Sequence, residues 1–216
     1  MENYIERLKK LDVANVSDAM DRLGIPCGLF GIHPVIAGKK ICGPAFTVHY
    51  IPCGMEKGNV GDFLDDVKPG EVVVIDNNGR LDCTVWGDIM TFVSVSRGIE
   101  GTVIDGVCRD IPGIKRNDYA IFSKNCYMVT GKDRVTVDYV NRPVSVSGIQ
   151  VCPGDIILGD DTGVICIPAS AVEKVTEIAE AIDNTEQLIV QQVKNGTSLK
   201  EARANLGYHH LQTKQV

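Results

Sequence analysis

The run Glu71-Val72-Val73-Val74-Ile75-Asp76 limits the fold more than any other stretch. Its apolar residues do not alternate with polar ones. A strand of that kind is covered on both faces, so it lies inside a layered α/β structure and not at the edge of an open sheet. Lys68-Pro69-Gly70 and Asn77-Asn78-Gly79 punctuate it as turns on either side. A second hydrophobic strand, Thr102-Val103-Ile104-Asp105-Gly106, repeats the pattern. At 216 residues and 44% hydrophobic, the chain has enough apolar surface for such a core in one domain.

Around these strands, residues 2–11 read as a short helix. A clearer one spans Asn15 to Gly24, with Asn15 as N-cap, Asp18 in the first turn and Gly24 closing it. Ile41 to Tyr50 reads as a strand broken at Gly43-Pro44, and Asn59 to Val67 as a helix. Gly87 to Arg97 reads as a helix with Ile89, Met90, Phe92 and Val93 on an apolar face, although its β-branched residues favour a strand. Short β segments are expected at 102–106, 119–123, 126–129, 135–139, 143–146, 150–152 and 163–167. This middle does not read as regular β-helix-β alternation, so a plain doubly wound sheet is not expected. The C-terminal third is helical. Ser170-x-x-Glu173 and Ser198-x-x-Glu201 have the form of capping boxes. Apolar residues recur at 172, 175, 179, 182, 189 and 193, which marks one helix face. Position 186 falls on that stripe but is Glu.

A net charge of -6 argues against a nucleic-acid or anionic-membrane surface, and no apolar run approaches the roughly 18 residues of a membrane span. The eight cysteines form no C-x-x-C pair, which removes zinc-ribbon and thioredoxin-like readings. Cys42, Cys108 and Cys166 sit inside apolar runs as small hydrophobes. With no apolar signal core at the N-terminus, a cytoplasmic protein with reduced thiols is expected.

The chemistry concentrates between Gly87-Asp88 and Arg109-Asp110. Gly87-Asp88 opens the candidate helix, where free backbone N–H groups bind anions. The Arg109 guanidinium is a planar fork that matches a carboxylate or an enolate oxygen. Asp110 offers oxygen to a hard cation, and Pro112-Gly113 places the pair in a loop where both side chains can face one pocket. Each element alone also fits a plainer role, as a surface ion pair or as a first-turn acid. Other chemistries lack support. Lys115 and Lys124 sit beside polar residues, unlike a desolvated Schiff-base lysine. No G-x-S-x-G occurs. The histidines show no metal-ligand spacing apart from the adjacent pair His209-His210, which reads as a solvated tail. Asn77-Asn78-Gly79-Arg80 lacks the phosphate-loop pattern.

Asp88-x20-Arg109-Asp110 resembles the signature of the 4-hydroxy-4-methyl-2-oxoglutarate aldolase family, which is related to the regulator of ribonuclease activity A. Val16 to Gly24, Gly43 to Val48, Pro69 to Asp76, Gly101 to Gly106 and Asp160 to Val164 are similar to further blocks of that family. The resemblance implies a swivelling β/β/α fold in one domain over 1–216, with 168–216 as a helical C-terminal extension. It implies a class II pyruvate aldolase that uses magnesium or manganese, with oxaloacetate decarboxylation as a side activity. By the family pattern Asp110 would bind the metal and Arg109 the keto or enolate oxygen. The amides of Gly87, Asp88, Ile89 and Met90 would receive the pyruvyl carboxylate, and Asp88 would position a water near the reacting hydroxyl. The resemblance also implies a homotrimer or a hexamer, with an acid from a neighbouring subunit acting on the metal through water. Glu186 is the candidate because it interrupts the stripe, while Glu177 and Glu180 fall off it. The alternative is a non-catalytic regulator that binds a ribonuclease or helicase. That regulator lacks the second acid of the Arg-Asp pair, and this chain has it in Asp110.

Overall fold

In a computed structural model that describes residues 2–55 and 57–208, β3 (Val72–Asp76) is buried along its whole length. Its side chains alternate between two cores. Val73 and Ile75 join Phe46, Trp86, Ile104 and Ile114 on one face, and Val72 and Val74 join Val103, Phe122, Ile157 and Val164 on the other. This is the covered-on-both-faces strand that the apolar run predicts.

It belongs to a set of four parallel strands: β2 (Ile41–Pro52), β3, β4 (Gly101–Cys108) and β5 (Ile121–Cys126). The full order is β1-β5-β4-β3-β2-β9-β10, where β1 is His33–Pro34, β9 Ile156–Asp160 and β10 Gly163–Ile167; β6 (Val135–Val140) pairs with β2 off this path. The sheet curls until its ends nearly meet. The stretch before β1 bonds to β10 through Cys166 N to Cys27 O at 3.0 Å and Leu29 N to Val164 O at 2.9 Å, while β1 itself pairs with β5. A hairpin of β7 (Val144–Val146) and β8 (Ile149–Val151) adds Val144, Val146 and Val151 to the inner core. Two carboxylates hold it there: Asp76 accepts from Ser145 N at 3.2 Å and Asp105 from Ser147 N at 2.9 Å.

Helices α1 (Glu2–Leu8), α2 (Val13–Leu23) and α5 (Val172–Lys194) cover β9 and β10, burying Leu8, Val16, Met20, Val175, Ala179 and Ile182 against Ile156, Leu158 and Ile167. Helix α6 (Leu199–Asn205) follows, with the Ser198 hydroxyl accepting from Glu201 N at 3.2 Å as its capping box requires. The α/β class and the helical C-terminal segment are as expected.

Several local expectations are corrected. The chain does alternate through its middle, as β3, α3 (Asp88–Ser96), β4, α4 (Ile111–Arg116), β5. Helix α4 was hidden because Pro112-Gly113 reads as a loop, yet proline is well tolerated in a first turn. Helix α2 starts before Asn15, because a remote carboxylate, Asp160 Oδ2, accepts from Val13 N at 2.9 Å. Strand β2 is unbroken at Gly43-Pro44; there it changes partner, from β9 over Ile41–Pro44 to β3 from Ala45 onward. Gly43 is required because a Cβ would run into the Gly70 carbonyl. The expected helix over 59–67 is a 3-10 turn, Asp62–Asp66. Segments 119–123 and 126–129 are replaced by one strand, β5, and β9 was not anticipated. The Ser170 capping box does not form, since α5 begins after Ala171 and Glu173 accepts from the Tyr4 hydroxyl at 2.7 Å. The pair His209-His210 lies outside the described residues.

Candidate functional site

Strand β4 delivers Arg109 and Asp110 to the carboxyl end of the parallel sheet, which is where open α/β sheets place their ligands. Beside it runs the segment before α3, bridged to the strand at Thr84–Val107 and by Arg109 N to Trp86 O at 3.0 Å. The two ends of the sequence motif are therefore held side by side by backbone hydrogen bonds. Trp86 anchors this segment. It is 2% exposed, lies parallel to Tyr119 at 6.2 Å, and donates its indole N–H to the Thr91 hydroxyl at 3.0 Å. That hydroxyl donates in turn to Gly87 O at 2.9 Å, fixing the first turn of α3.

Asp110 adopts a left-handed conformation with φ of 61° and caps α4, where Gly113 N and Ile114 N donate to its carbonyl at 2.8 and 3.1 Å. A non-glycine residue in that region carries strain and is held by its surroundings. The turn carries the carboxylate back over the start of α3. Asp110 Oδ2 accepts from Asp88 N at 3.3 Å and lies 3.4 Å from Arg109 Nε. Gly87 makes the approach possible, for a Cβ there would stand 2.6 Å from Asp110 Oδ2. Gly113 does the same for Asp88, since its Cβ would stand 2.6 Å from that of Asp88. Arg109 and Asp110 are both about one-third exposed and open into a cleft of 470 Å³.

The structure thus brings together Gly87, Asp88, Ile89, Met90, Arg109 and Asp110, all of which line the cleft. The amides of Ile89 and Met90 begin α3 and have no intrahelical acceptor, so they are free to meet an anion. The Asp88 amide, expected to join them, is given to Asp110 in this arrangement. The donor set suits a hard cation. Asp110, with Asp88 beside it, supplies oxygen only, and magnesium or manganese commonly takes one or two protein carboxylates with the remaining positions left to water and substrate. Among the described residues no cluster of three or more His, Cys, Asp or Glu side chains is placed to hold a metal.

Glu186 is elsewhere in its own chain. Its carboxylate accepts from Asn15 Nδ2 at 2.7 Å in a separate shallow groove between α2 and α5. The buried amide of Asn15 explains how the apolar stripe of α5 tolerates an acid at this point. Glu180 is bound by Arg7 through two bonds of 2.8 and 2.6 Å, and this guanidinium holds its carboxyl below the usual carboxylate range. Sequence reading missed the second wall of the cleft, Gly58–Asp62 and Thr130–Asp133. These residues come from two loops distant in sequence, and no motif spacing links them to Asp88.

The family model described as Aldolase/RraA matches residues 13–166, a span that holds Asp88, Arg109 and Asp110 but not Glu186. The chain is 39% identical over 211 residues to Protein DlpA of Legionella pneumophila, covering 96% of this chain but 34% of that one, so it spans about a third of that relative's length. It is 32% identical to a protein of Halalkalibacterium halodurans provisionally named a 4-hydroxy-4-methyl-2-oxoglutarate aldolase, covering 82% of both. The crystal structure of an uncharacterized protein from Pseudomonas syringae pv. tomato superposes with a TM-score of 0.88 at 38% identity, over 94% of this chain and 98% of that one. With the covered strands, the convergent Arg-Asp turn and these matches together, the chain belongs to the Aldolase/RraA family and has its fold.

Proposed function

We propose that this chain is a divalent-metal-dependent carbon–carbon lyase that cleaves a 4-hydroxy-2-oxo acid, such as 4-hydroxy-4-methyl-2-oxoglutarate, to pyruvate. The observation that carries the reading is the meeting of Arg109 and Asp110 with the start of α3, made possible by Gly87. The provisional aldolase name of the Halalkalibacterium relative supports it.

The residues divide the work. The amides of Ile89 and Met90 take the carboxylate of the 2-oxo acid head. The Arg109 guanidinium faces the keto oxygen and strengthens its hold as that oxygen gains enolate charge. Asp110 would hold magnesium or manganese, which when bound supplies Lewis-acid stabilisation of the same charge. Asp88 receives the proton of the C4 hydroxyl, directly or through one water. As that proton leaves, the C3–C4 bond breaks, C4 becomes a carbonyl, and the bonding pair forms the C2–C3 double bond of pyruvate enolate. Protonation at C3 then gives pyruvate. Loss of carbon dioxide from oxaloacetate leaves the same enolate, so decarboxylation is the expected side activity.

The outer face of α3 supports an assembly of subunits at this site. Ile89 and Phe92 are 77% and 64% exposed beside the cleft, an apolar surface better suited to a neighbour than to water. In a trimer or hexamer an adjoining copy can bring an acid to the cleft, and Glu186 is the proposed one. No helix among the described residues is long and apolar enough to cross a membrane.

The test is a coupled assay for pyruvate release from oxaloacetate and from several 4-hydroxy-2-oxo diacids. The expected result is turnover that needs magnesium or manganese and stops in excess chelator. Full activity in chelator contradicts the metal role. No turnover of any 2-oxo acid, combined with specific capture of a ribonuclease or helicase, replaces the enzyme reading with the regulator reading.

A further inference from the structure

The cleft's second wall takes no part in the chemistry above. Its inner edge, Thr130–Asp133, is built rigidly onto the same segment that carries Gly87. Thr84 N donates to Val129 O at 2.9 Å, and Thr84 bridges Thr130. Gly131 sits so close to the Thr84 carbonyl that a Cβ would collide with it. Its own carbonyl accepts from both Arg134 N and Val135 N at 2.9 Å, and Lys132 N donates to the Thr130 hydroxyl at 3.2 Å. The turn therefore fixes the Lys132 backbone on the wall of the cleft that Arg109 and Asp110 also line.

The charges around Lys132 leave it free. Its neighbour Asp133 is neutralised by Lys57 at 3.0 Å, and Arg109 pairs with Asp110, but Lys132 has no ion pair among the described residues. The cleft also contains Asp62 and Asp88. A second negative group on a bound ligand would be repelled by these acids unless a cation met it. An uncharged distal group has no such need.

We propose that Lys132 is a specificity-determining residue that receives the distal carboxylate of the substrate, so that the site prefers 2-oxo diacids to 2-oxo monoacids. This rests on the function proposed above. Lys132 takes no part in bond cleavage, and the 2-oxo acid head stays with Ile89, Met90, Arg109 and Asp110.

Calorimetric titration with magnesium present tests it, using pyruvate for the head alone and 2-oxoglutarate for the head plus a distal carboxylate. Lys132→Ala should weaken 2-oxoglutarate binding about 10- to 100-fold, the range for a lost charge-assisted contact. Pyruvate binding should change by less than about twofold, and Lys132→Arg should retain most of the preference for the diacid. In turnover, Lys132→Ala should raise KM for 4-hydroxy-4-methyl-2-oxoglutarate and leave kcat/KM for 4-hydroxy-2-oxopentanoate nearly unchanged. Equal weakening of both ligands, or of neither, overturns the role of Lys132 and leaves the aldolase reading standing. Failure of the wild-type protein to bind either acid overturns both.

Discussion

Helices α3 and α5 carry the same kind of sequence signal and use it in opposite ways. Through Ile182 the apolar stripe of α5 faces inward: Val175, Ala179 and Ile182 are at most 1% exposed against β9 and β10, and only toward the helix end does a stripe residue, Val193, reach 40% exposure. In α3 the most apolar positions, Ile89 and Phe92, face outward, and the fully buried ones are Thr91 and Ser94. Hydrophobic burial orients α5. The site orients α3, because Thr91 must reach Gly87 O and the Trp86 indole so that Asp88, Ile89 and Met90 open toward Asp110. Periodicity shows that a helix has an apolar face, but not whether the chain itself covers that face.

The largest expected effects break α3's side of this contrast. Arg109→Ala or Asp110→Ala should lower kcat/KM for pyruvate release by at least about 100-fold, as loss of a charge-stabilising group does. The melting temperature should hold near its wild-type value, since both side chains are partly exposed. Gly87→Ala should come next. Its Cβ would stand 2.6 Å from Asp110 Oδ2, so activity should fall about tenfold or more while circular dichroism stays native. On the α5 side the order reverses. Ile182→Ala should lower stability by about 3 kcal/mol in urea unfolding, with kcat/KM in the surviving folded protein little changed.

Two smaller effects sharpen the comparison. Phe92→Asp should leave the folded monomer intact and shift the assembly toward single subunits in light scattering. An unchanged mass would mean that the outer face of α3 has no partner. Glu186→Gln keeps a bond from Asn15 and should move stability by about 1 kcal/mol or less. If Glu186 serves a neighbouring copy's cleft, activity falls far more than stability does. If the two change in proportion, Glu186 is a structural partner of Asn15 and nothing more.

Much of the fold was legible because it rests on short-range rules. The unbroken run at Val72–Ile75 predicted a doubly covered strand, and the stripe of α5 predicted its buried face from Val172 to Ile189, though not at Val193. What stayed hidden was set by distant partners. Asp160 caps α2 from a turn far along the chain, so Asn15 was misread as the cap. Strand β2 exchanges one neighbour for another at Gly43-Pro44, which in sequence looks like a break. Within the site, Asp88, Arg109 and Asp110 were noticed for their residue types and joined by their resemblance to a family signature, while the wall bearing Lys132 belongs to no motif. Glu186 was noticed for a sound reason, a charge on an apolar stripe, and in its own chain the answer is the buried amide of Asn15.

The proposed function requires that Arg109 and Asp110 meet the start of α3 to form one metal-dependent 2-oxo acid site. The most direct measurement is the binding of oxalate, a mimic of pyruvate enolate, titrated against magnesium in the wild-type protein and in Asp110→Ala. Binding should be tight only with magnesium present, and it should be lost in Asp110→Ala while the fold persists. Oxalate binding that ignores magnesium, or that survives Asp110→Ala, would contradict it.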